Sequence, residues 1–442
     1  MKKYAILFTF CLLSFCSFCQ GSAFVRKSGV QGYSQIIRQW KTCPWSWGTG
    51  VHAVYYTDAV SNAKGYVGVT DVYNFIKYTQ ITDSLTIRDM EVLDDVAYLC
   101  GNTPAGSAFI GWIDLTTLSG STNNFEMYSS IGSSVSMSSL ENIVAYYDTY
   151  GRPCIAGFGT TPSGYYGVGF VVPTGQETIG ILPYTPHDVT VTDTYVVYTG
   201  TTTGTNIVIH PVPKTATFTS LYLPFYLYQV GTPTIIEPLT GLHITSTGGD
   251  GIATISYALE GSVYELILRE FNVSGATMSY NVPMMSSTLV KLNNSATSIF
   301  DFQFNSISKV YAVFHNYEVN PSVYQDAVTK IDYSSGVPST VQSDYLAITN
   351  HTMTGISLSD SLMYVVYGYN TTSKENLFWK DYLSASATGL CLYSDLLNVV
   401  SALPLVEAVR QEAYYGSLLS MVSPLITINC SGSGENITPI CH

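Results

Sequence analysis

The residues of this sequence whose types and spacing could do chemistry are three aspartates that return at one point of a repeat: Asp89, Asp188 and Asp301. Setting Arg88 against His187 without gaps brings Asp89 onto Asp188, Met90 onto Val189, Val92 onto Val191, Asp94 onto Asp193 and Gly101 onto Gly200. Phe300-Asp301 and His243 open fainter copies. Carboxylates that recur in this way could converge on a cation through oxygen ligands. At the entrance of a strand, however, the same residue simply accepts backbone N–H groups, and this second reading carries the greater weight. His187 and His243 fall at similar positions, but two histidines without a matched third ligand do not make a metal site. Tyr165, Tyr166, Tyr317 and Tyr324 would present ring faces beside hydroxyls, which suits stacking on sugars.

Catalytic signatures are missing. The sequence has no G-x-S-x-G elbow, no H-E-x-x-H and no Walker phosphate loop. Carboxylates for glycoside hydrolysis can come from distant parts of a chain and leave no local motif, so a glycan-degrading enzyme stays open as an alternative. The reading favours no catalytic activity, and no catalytic residue, metal or cofactor is assigned.

The elements that must position these residues are short strands. In Arg88 to Leu115, Arg88 to Leu93 alternates, Asp94-Asp95 supplies turn chemistry, Val96 to Cys100 runs apolar, and a Gly/Pro/Asn loop leads into Ala108 to Ile113. Thr103-Pro-Ala-Gly106 and Ile110-Gly-Trp112 recur as Thr161-Pro-Ser-Gly164 and Val168-Gly-Phe170. Third-strand markers at Gly68, Gly111, Gly169, Val208, Leu266, Val328 and Trp379 are spaced by roughly forty to sixty residues, the period of one supersecondary unit. A small sheet of this kind cannot bury its own faces, whereas sheets set radially bury both. The expected fold is therefore an all-β β-propeller, most simply of seven blades, with six or eight also compatible with the pattern. In it Arg88, Asp89, His187, Asp188, His243 and Asp301 would rim the channel, with the loops Asn102 to Ser107, Thr160 to Tyr166, Thr201 to Asn206 and Tyr317 to Tyr324 around them. Asp94, Asp193 and Asp360 read as hairpin-turn residues.

The chain has 442 residues, 46 % of them hydrophobic and only 11 % charged, which suits a β-rich exported protein. Residues 1–19, with two lysines and an apolar run from Tyr4 to Phe18, have the layout of a signal peptide, cleaved after Cys19 or as late as Ala23. Phe15 and Phe18 stand where a lipid-anchored cysteine at 16 or 19 would need a small residue before it. Residues 24–442 are then a single propeller domain whose ends close the ring, and no other stretch is long and apolar enough to span a bilayer. The formal charge of −13 becomes −15 once Lys2 and Lys3 leave with the leader. Nucleic acid is excluded as a partner on that ground, because phosphate backbones need a basic surface.

Six cysteines remain after cleavage: Cys43, Cys100, Cys154, Cys391, Cys430 and Cys441. An exported chain permits disulfides, with Cys430 and Cys441 closing a small loop, or Cys43 tying one of them to the first blade. Cys100 and Cys154 read equally well as free buried thiols. Near the ends, Gly32 to Gln39 is an extended segment suited to joining the last blade. Val406 to Gly416 reads as a hairpin completing the first blade, or as part of an amphipathic helix over Leu405 to Met421. Asn316 to Gln325 reads as a lengthened loop, and the tryptophans of Cys43-Pro-Trp-Ser-Trp47 as cover for the end of a blade.

The phrase MEVLDDVAYLCGNTPAGSAFIGWIDL, with Tyr-rich repeats behind an export signal, resembles uncharacterised exported β-propeller-like proteins of Bacteroides-type bacteria. The resemblance implies a periplasmic, cell-surface or extracellular location and carries no catalytic residue. The expected function is a noncatalytic binding propeller for a glycan or protein ligand, with a glycan-degrading enzyme and a structural envelope component as alternatives.

Overall fold

In a computed structural model of the chain the described residues are 22–26, 37–44, 52–58, 65–70, 75–81, 85–117, 124–202, 206–214, 224–229, 242–260, 263–274, 284–290, 296–305, 309–320, 323–333, 340–346, 351–358, 363–370, 376–382, 392–397, 402–404, 407–411, 418–436 and 438–439. Side chains are described mainly within 85–214 and 242–274.

The described strands form seven four-stranded antiparallel units. Unit one is Ile37–Pro44, His52–Asp58, Gly65–Thr70 and Phe75–Ile81; unit two is Thr86–Leu93, Val96–Asn102, Ala108–Asp114 and Asn124–Ile131. Unit three is Ser139–Tyr147, Pro153–Thr161, Gly164–Val171 and Gln176–Leu182; unit four is Thr185–Val191, Tyr195–Thr201, Ile207–Pro213 and Phe225–Gln229. Unit five is His243–Gly248, Gly251–Glu260, Val263–Asn272 and Met284–Val290; unit six is Ala296–Asn305, Val310–Asn320, Val323–Asp332 and Thr340–Leu346. Unit seven is His351–Leu358, Met363–Asn370 and Asn376–Tyr382, completed by Ser22–Arg26. The first strand of each unit touches the first strand of the next, and that of unit seven touches that of unit one, so the units close into a ring around their inner strands. The fold is an all-β propeller, and the seven third-strand markers of the sequence all fall in third strands.

The core lies between units rather than within them, because successive residues of a strand face opposite sides. Ala97 and Leu99 turn toward unit one with Ile87, Phe109 and Phe125. Their neighbours Tyr98 and Cys100 turn toward unit three with Ile143, Phe170 and Ile179. Tyr146, Cys154 and Phe158 pack on Val196, Tyr198 and Val208 of unit four. Each such side chain contributes about 1.5–3 kcal/mol by leaving water, so one unit alone would forgo both sets of contacts. Cys100 and Cys154 form no disulfide and lie in different interfaces. The Cys100 thiol donates to the Leu140 carbonyl at 3.4 Å, and burial pushes the Cys154 thiol up to about 12.

The two ends depart from the sequence reading. Ser22–Arg26, not Gly32 to Gln39, completes the last unit, and the latter stretch runs into the first strand of unit one, Ile37–Pro44. Glu407–Gln411 is neither a first-blade hairpin nor a helix; it is a fifth strand on Phe225–Gln229 of unit four. It belongs to a belt that visits the outer edges of the units in reverse order. Leu392–Leu397 pairs with unit six, Ala402–Pro404 with unit five, Glu407–Gln411 with unit four and Leu418–Val422 with unit three. Leu425–Asn436 pairs first with unit two and then with unit one, and Thr438–Pro439 ends on Ser22–Arg26 of unit seven. At about 3.3 Å per residue its described strands amount to roughly 110 Å of extended chain.

This topology rules out one proposed cross-link. Cys43 lies in the innermost strand of unit one and Cys430 on the strand added outside its fourth. Four strand spacings of about 4.8 Å separate two such strands, far beyond the reach of a disulfide. Asn316 to Gln325 is likewise not a long loop. Glu318 pairs with Tyr324 and Asn320 with Val323, so the segment extends the middle hairpin of unit six. Trp45, Trp47 and Asp360 lie outside the described residues.

Where the belt crosses unit three, Glu177 is fully buried; its Oε2 accepts the Gly132 N–H at 3.1 Å. Burial pushes this carboxyl up, and the hydrogen bonds from Gly132 and the Ser423 hydroxyl pull it down only in part. The folded state therefore holds the proton more tightly than the unfolded one. The stability this confers is full below the ordinary glutamate value and is lost as pH rises through the folded one. Glu177→Gln keeps an acceptor for Gly132 and cannot ionise. Thermal melts from pH 4 to 8 are expected to show the parent losing stability relative to this variant as pH rises, and parallel curves would refute the assignment.

Candidate functional site

In units two, three, four and six the first strand begins with a four-residue pattern: Ile87-Arg88-Asp89-Met90, Leu140-Glu141-Asn142-Ile143, Pro186-His187-Asp188-Val189 and Ile299-Phe300-Asp301-Phe302. The second residue of each is skipped by the pairing ladder, a β-bulge, and the same shift occurs at Ile37/Gln39 and Met353/Gly355. A bulge re-aims the side chains around it. Here it turns the third residue, the recurrent Asp or Asn, toward the next unit.

Those carboxylates bind main-chain amides. Asp89 Oδ2 accepts the Ile143 N–H of unit three at 2.8 Å, and Asp188 Oδ2 accepts the Ile244 N–H of unit five at 3.1 Å. Asp188 Oδ1 also accepts its neighbour Val189 N–H at 2.8 Å and the Asn142 side-chain amide at 3.2 Å. Asp301 Oδ1 accepts the Phe302 N–H at 2.7 Å. The backbone-acceptor reading of the three aspartates thus describes what they do. Among the described residues no group of three or more His, Cys, Asp and Glu is placed to hold a metal ion.

The ring of contacts corrects the place of His243. Since Asp188 reaches Ile244 as Asp89 reaches Ile143, His243 stands where the other units carry Asp or Asn, not where unit four carries His187. In unit five the described pairing starts at His243, with the buried Leu242 before it. His243 Nδ1 lies 3.4 Å from Asp188 Oδ2. Burial pulls its imidazole down, but the Asp188 hydrogen bond and charge, the Asp301 charge and a bond to the Ile299 backbone carry it above the ordinary histidine value. His187 goes the other way: burial and the His243 charge lower it, and Asp188 offsets part of that. Its Nε2 is 3.0 Å from Thr201 Oγ1. Between units two and three, Arg88 Nε sits 3.7 Å from Glu141 Oε2, with side chains 38 % and 31 % exposed. An ion pair that exposed contributes at most about 1 kcal/mol, so its groups are available to a ligand at small cost.

Tyr165 and Tyr166 face opposite sides of their sheet: they are adjacent in a strand, so Tyr165 packs toward unit four and Tyr166 toward unit two. The backbones of Tyr317 and Tyr324 lie in the long hairpin of unit six, and their side chains are outside those described. Sequence reasoning missed Glu141 and Asn142. The apolar, polar, Asp/Asn, apolar pattern would have found them.

No family model matches the chain, and no curated protein matches it. Among solved structures it is similar to the β-propeller domain of the trilobed protease from Pyrococcus furiosus, described as having an open velcro topology. The identity is 9 % and the TM-score 0.36, over 87 % of this chain and 97 % of that one. The strand order above, not this likeness, carries the fold.

Proposed function

We propose that this chain is an exported, noncatalytic binding propeller that holds a glycan or protein ligand at the inner mouth of the ring. One observation supports this reading above the others: Asp89 and Asp188 are engaged by main-chain amides of the neighbouring unit. A glycoside hydrolase needs carboxyls that exchange protons with substrate or water. Carboxylates held this way are already occupied as acceptors for the main chain. Beside them Arg88, Glu141, His187 and Asn142 offer a mixed set of donors and acceptors suited to hydroxyl and amide groups. The acidic balance of the chain agrees with a ligand other than nucleic acid.

A glycan array and calorimetry with the mature protein test this reading. Binding to an oligosaccharide or an envelope protein is expected, weakened about tenfold or more by the double substitution Arg88→Ala and His187→Ala, the scale of one or two lost ligand hydrogen bonds. Release of product from polysaccharides would overturn it in favour of an enzyme. Binding unaltered in the folded double variant would move the site elsewhere.

A further inference from the structure

At the rim of the ring opposite the mouth, the first strand of a unit turns into its second. In unit three that turn is Asp148-Thr149-Tyr150-Gly151-Arg152, and six residues of strand, about 20 Å, separate its start from Glu141 at the mouth. Asp148, whose side chain is fully buried, builds it. Its Oδ1 accepts the N–H groups of Tyr150 and Arg152, both at 2.9 Å, and its carbonyl accepts the Gly151 N–H at 3.0 Å. Its Oδ2 holds the Arg152 guanidinium through Nε at 2.9 Å and Nη2 at 2.8 Å. The Arg152 Cζ in turn lies 5.2 Å from the centre of the Tyr150 ring, so a cation backs one face of that ring. Tyr150 is nonetheless 81 % exposed.

Neither the turn nor the core needs that ring. Asp148, with Gly151 at φ +73°, supplies the turn chemistry. The matching turns of units two, four and five are tipped by Asp94-Asp95, Asp193-Thr194 and Gly249-Asp250, none of them aromatic. A tyrosine left in water on a backbone tied this closely is preorganised for a contact from outside. Three residues earlier Tyr147 is 41 % exposed, and its hydroxyl donates to Asp94 of unit two.

Size and charge decide the partner. The exposed parts of the two rings come to roughly 250 Å². Each side of a stable protein interface needs about 800 Å², which excludes a second copy or a folded partner seated on these rings. A sugar ring fits, because its C–H face suits the negative face of tyrosine. Arg152, 37 % exposed, offers donors to its hydroxyls. Asp148 already balances the Arg152 charge and Asp94 adds a negative one, which disfavours an acidic sugar.

We propose that this turn is a second ligand point, independent of the mouth, where a neutral saccharide stacks one ring on the open face of Tyr150 with its hydroxyls met by Arg152.

Saturation-transfer NMR of the full chain with maltohexaose, cellohexaose and laminarihexaose tests the assignment. At least one of the three is expected to bind. Tyr150→Ala should weaken that binding about tenfold, the scale of one lost ring contact, and an exposed turn position puts folding at little risk. Tyr150→Phe keeps the ring face and should bind within about twofold of the parent. The double variant Arg88→Ala with His187→Ala, altered only at the mouth, should bind these saccharides as the parent does, so failure of the mouth reading and failure of this one are separate results. The proposal is overturned if none of the three binds, if Tyr150→Ala binds as the parent does, or if Tyr150→Phe loses as much as the alanine. A protein whose binding falls with Tyr150→Ala while no saccharide binds would overturn it too.

Discussion

Replacing Asp188 by alanine is expected to lower the stability of the protein by about 2–4 kcal/mol, the range for removing a part-buried acceptor that serves several donors. The side chain accepts the Ile244 N–H of unit five, the Asn142 amide of unit three and its own neighbour's N–H, and it faces the His243 ring. Alanine leaves two donors from other units without their acceptor and removes the counter-charge of a histidine held above its ordinary value. Asp188→Asn keeps one carbonyl oxygen and should cost roughly half as much. Asp193, in the hairpin turn of the same unit, should cost within about 1 kcal/mol as alanine. Urea unfolding of the three variants gives the comparison. Equal effects at 188 and 193 would show that the ring of inter-unit bonds adds nothing to ordinary turn chemistry.

An alanine at Gly101 should be worse tolerated still. The added Cβ would lie 1.9 Å from the Thr86 carbonyl oxygen and 2.9 Å from its carbon, both backbone atoms that cannot rotate away. They cannot move without undoing the bulge that aims Asp89 at unit three. A cost above about 4 kcal/mol, with loss of soluble protein, is expected, in the class of changes that strain a special backbone position. Gly106, four residues into the following loop, has φ +75° and open space where a Cβ would go. Its alanine should cost about 1–2 kcal/mol, the left-handed penalty alone. Soluble yield and chemical denaturation of both variants decide the point, and a stable, well-expressed Gly101→Ala would show that the bulge can relax.

The same glycine explains why so much of the fold was legible. Gly101 and Gly200 recur because each lies across from a bulged strand start, where a Cβ would strike a carbonyl, at 2.3 Å in the case of Gly200. The turn at Asp94-Asp95 was legible for a like reason: Asp94 has φ +52°, a conformation aspartate tolerates better than most residues. The belt left no such mark. Glu407–Gln411 has no apolar alternation to announce it, and its neighbours read as easily as helix. At the site, the aspartates were found by repetition, but the displacement of His243 was hidden. The sequence set His243 level with His187, and only the bond from the Ile244 N–H to Asp188 shows that it stands level with the aspartates. The paired tyrosines misled because ring chemistry was weighed without strand alternation, which sends Tyr165 and Tyr166 to opposite sides.

The reverse order of the belt sets a schedule for folding. Its first partners, such as Leu346 and Leu392, are near in the chain, whereas Ile81 and Cys430 are distant. Closing a short loop costs less entropy than closing a long one. The tail can thus zip from unit six backward, each docked segment shortening the search for the next. The span from Ser22–Arg26 to Asn376–Tyr382 has no such relay beneath it, which makes that seam the slow step of assembly and the place where a neighbouring copy could intrude.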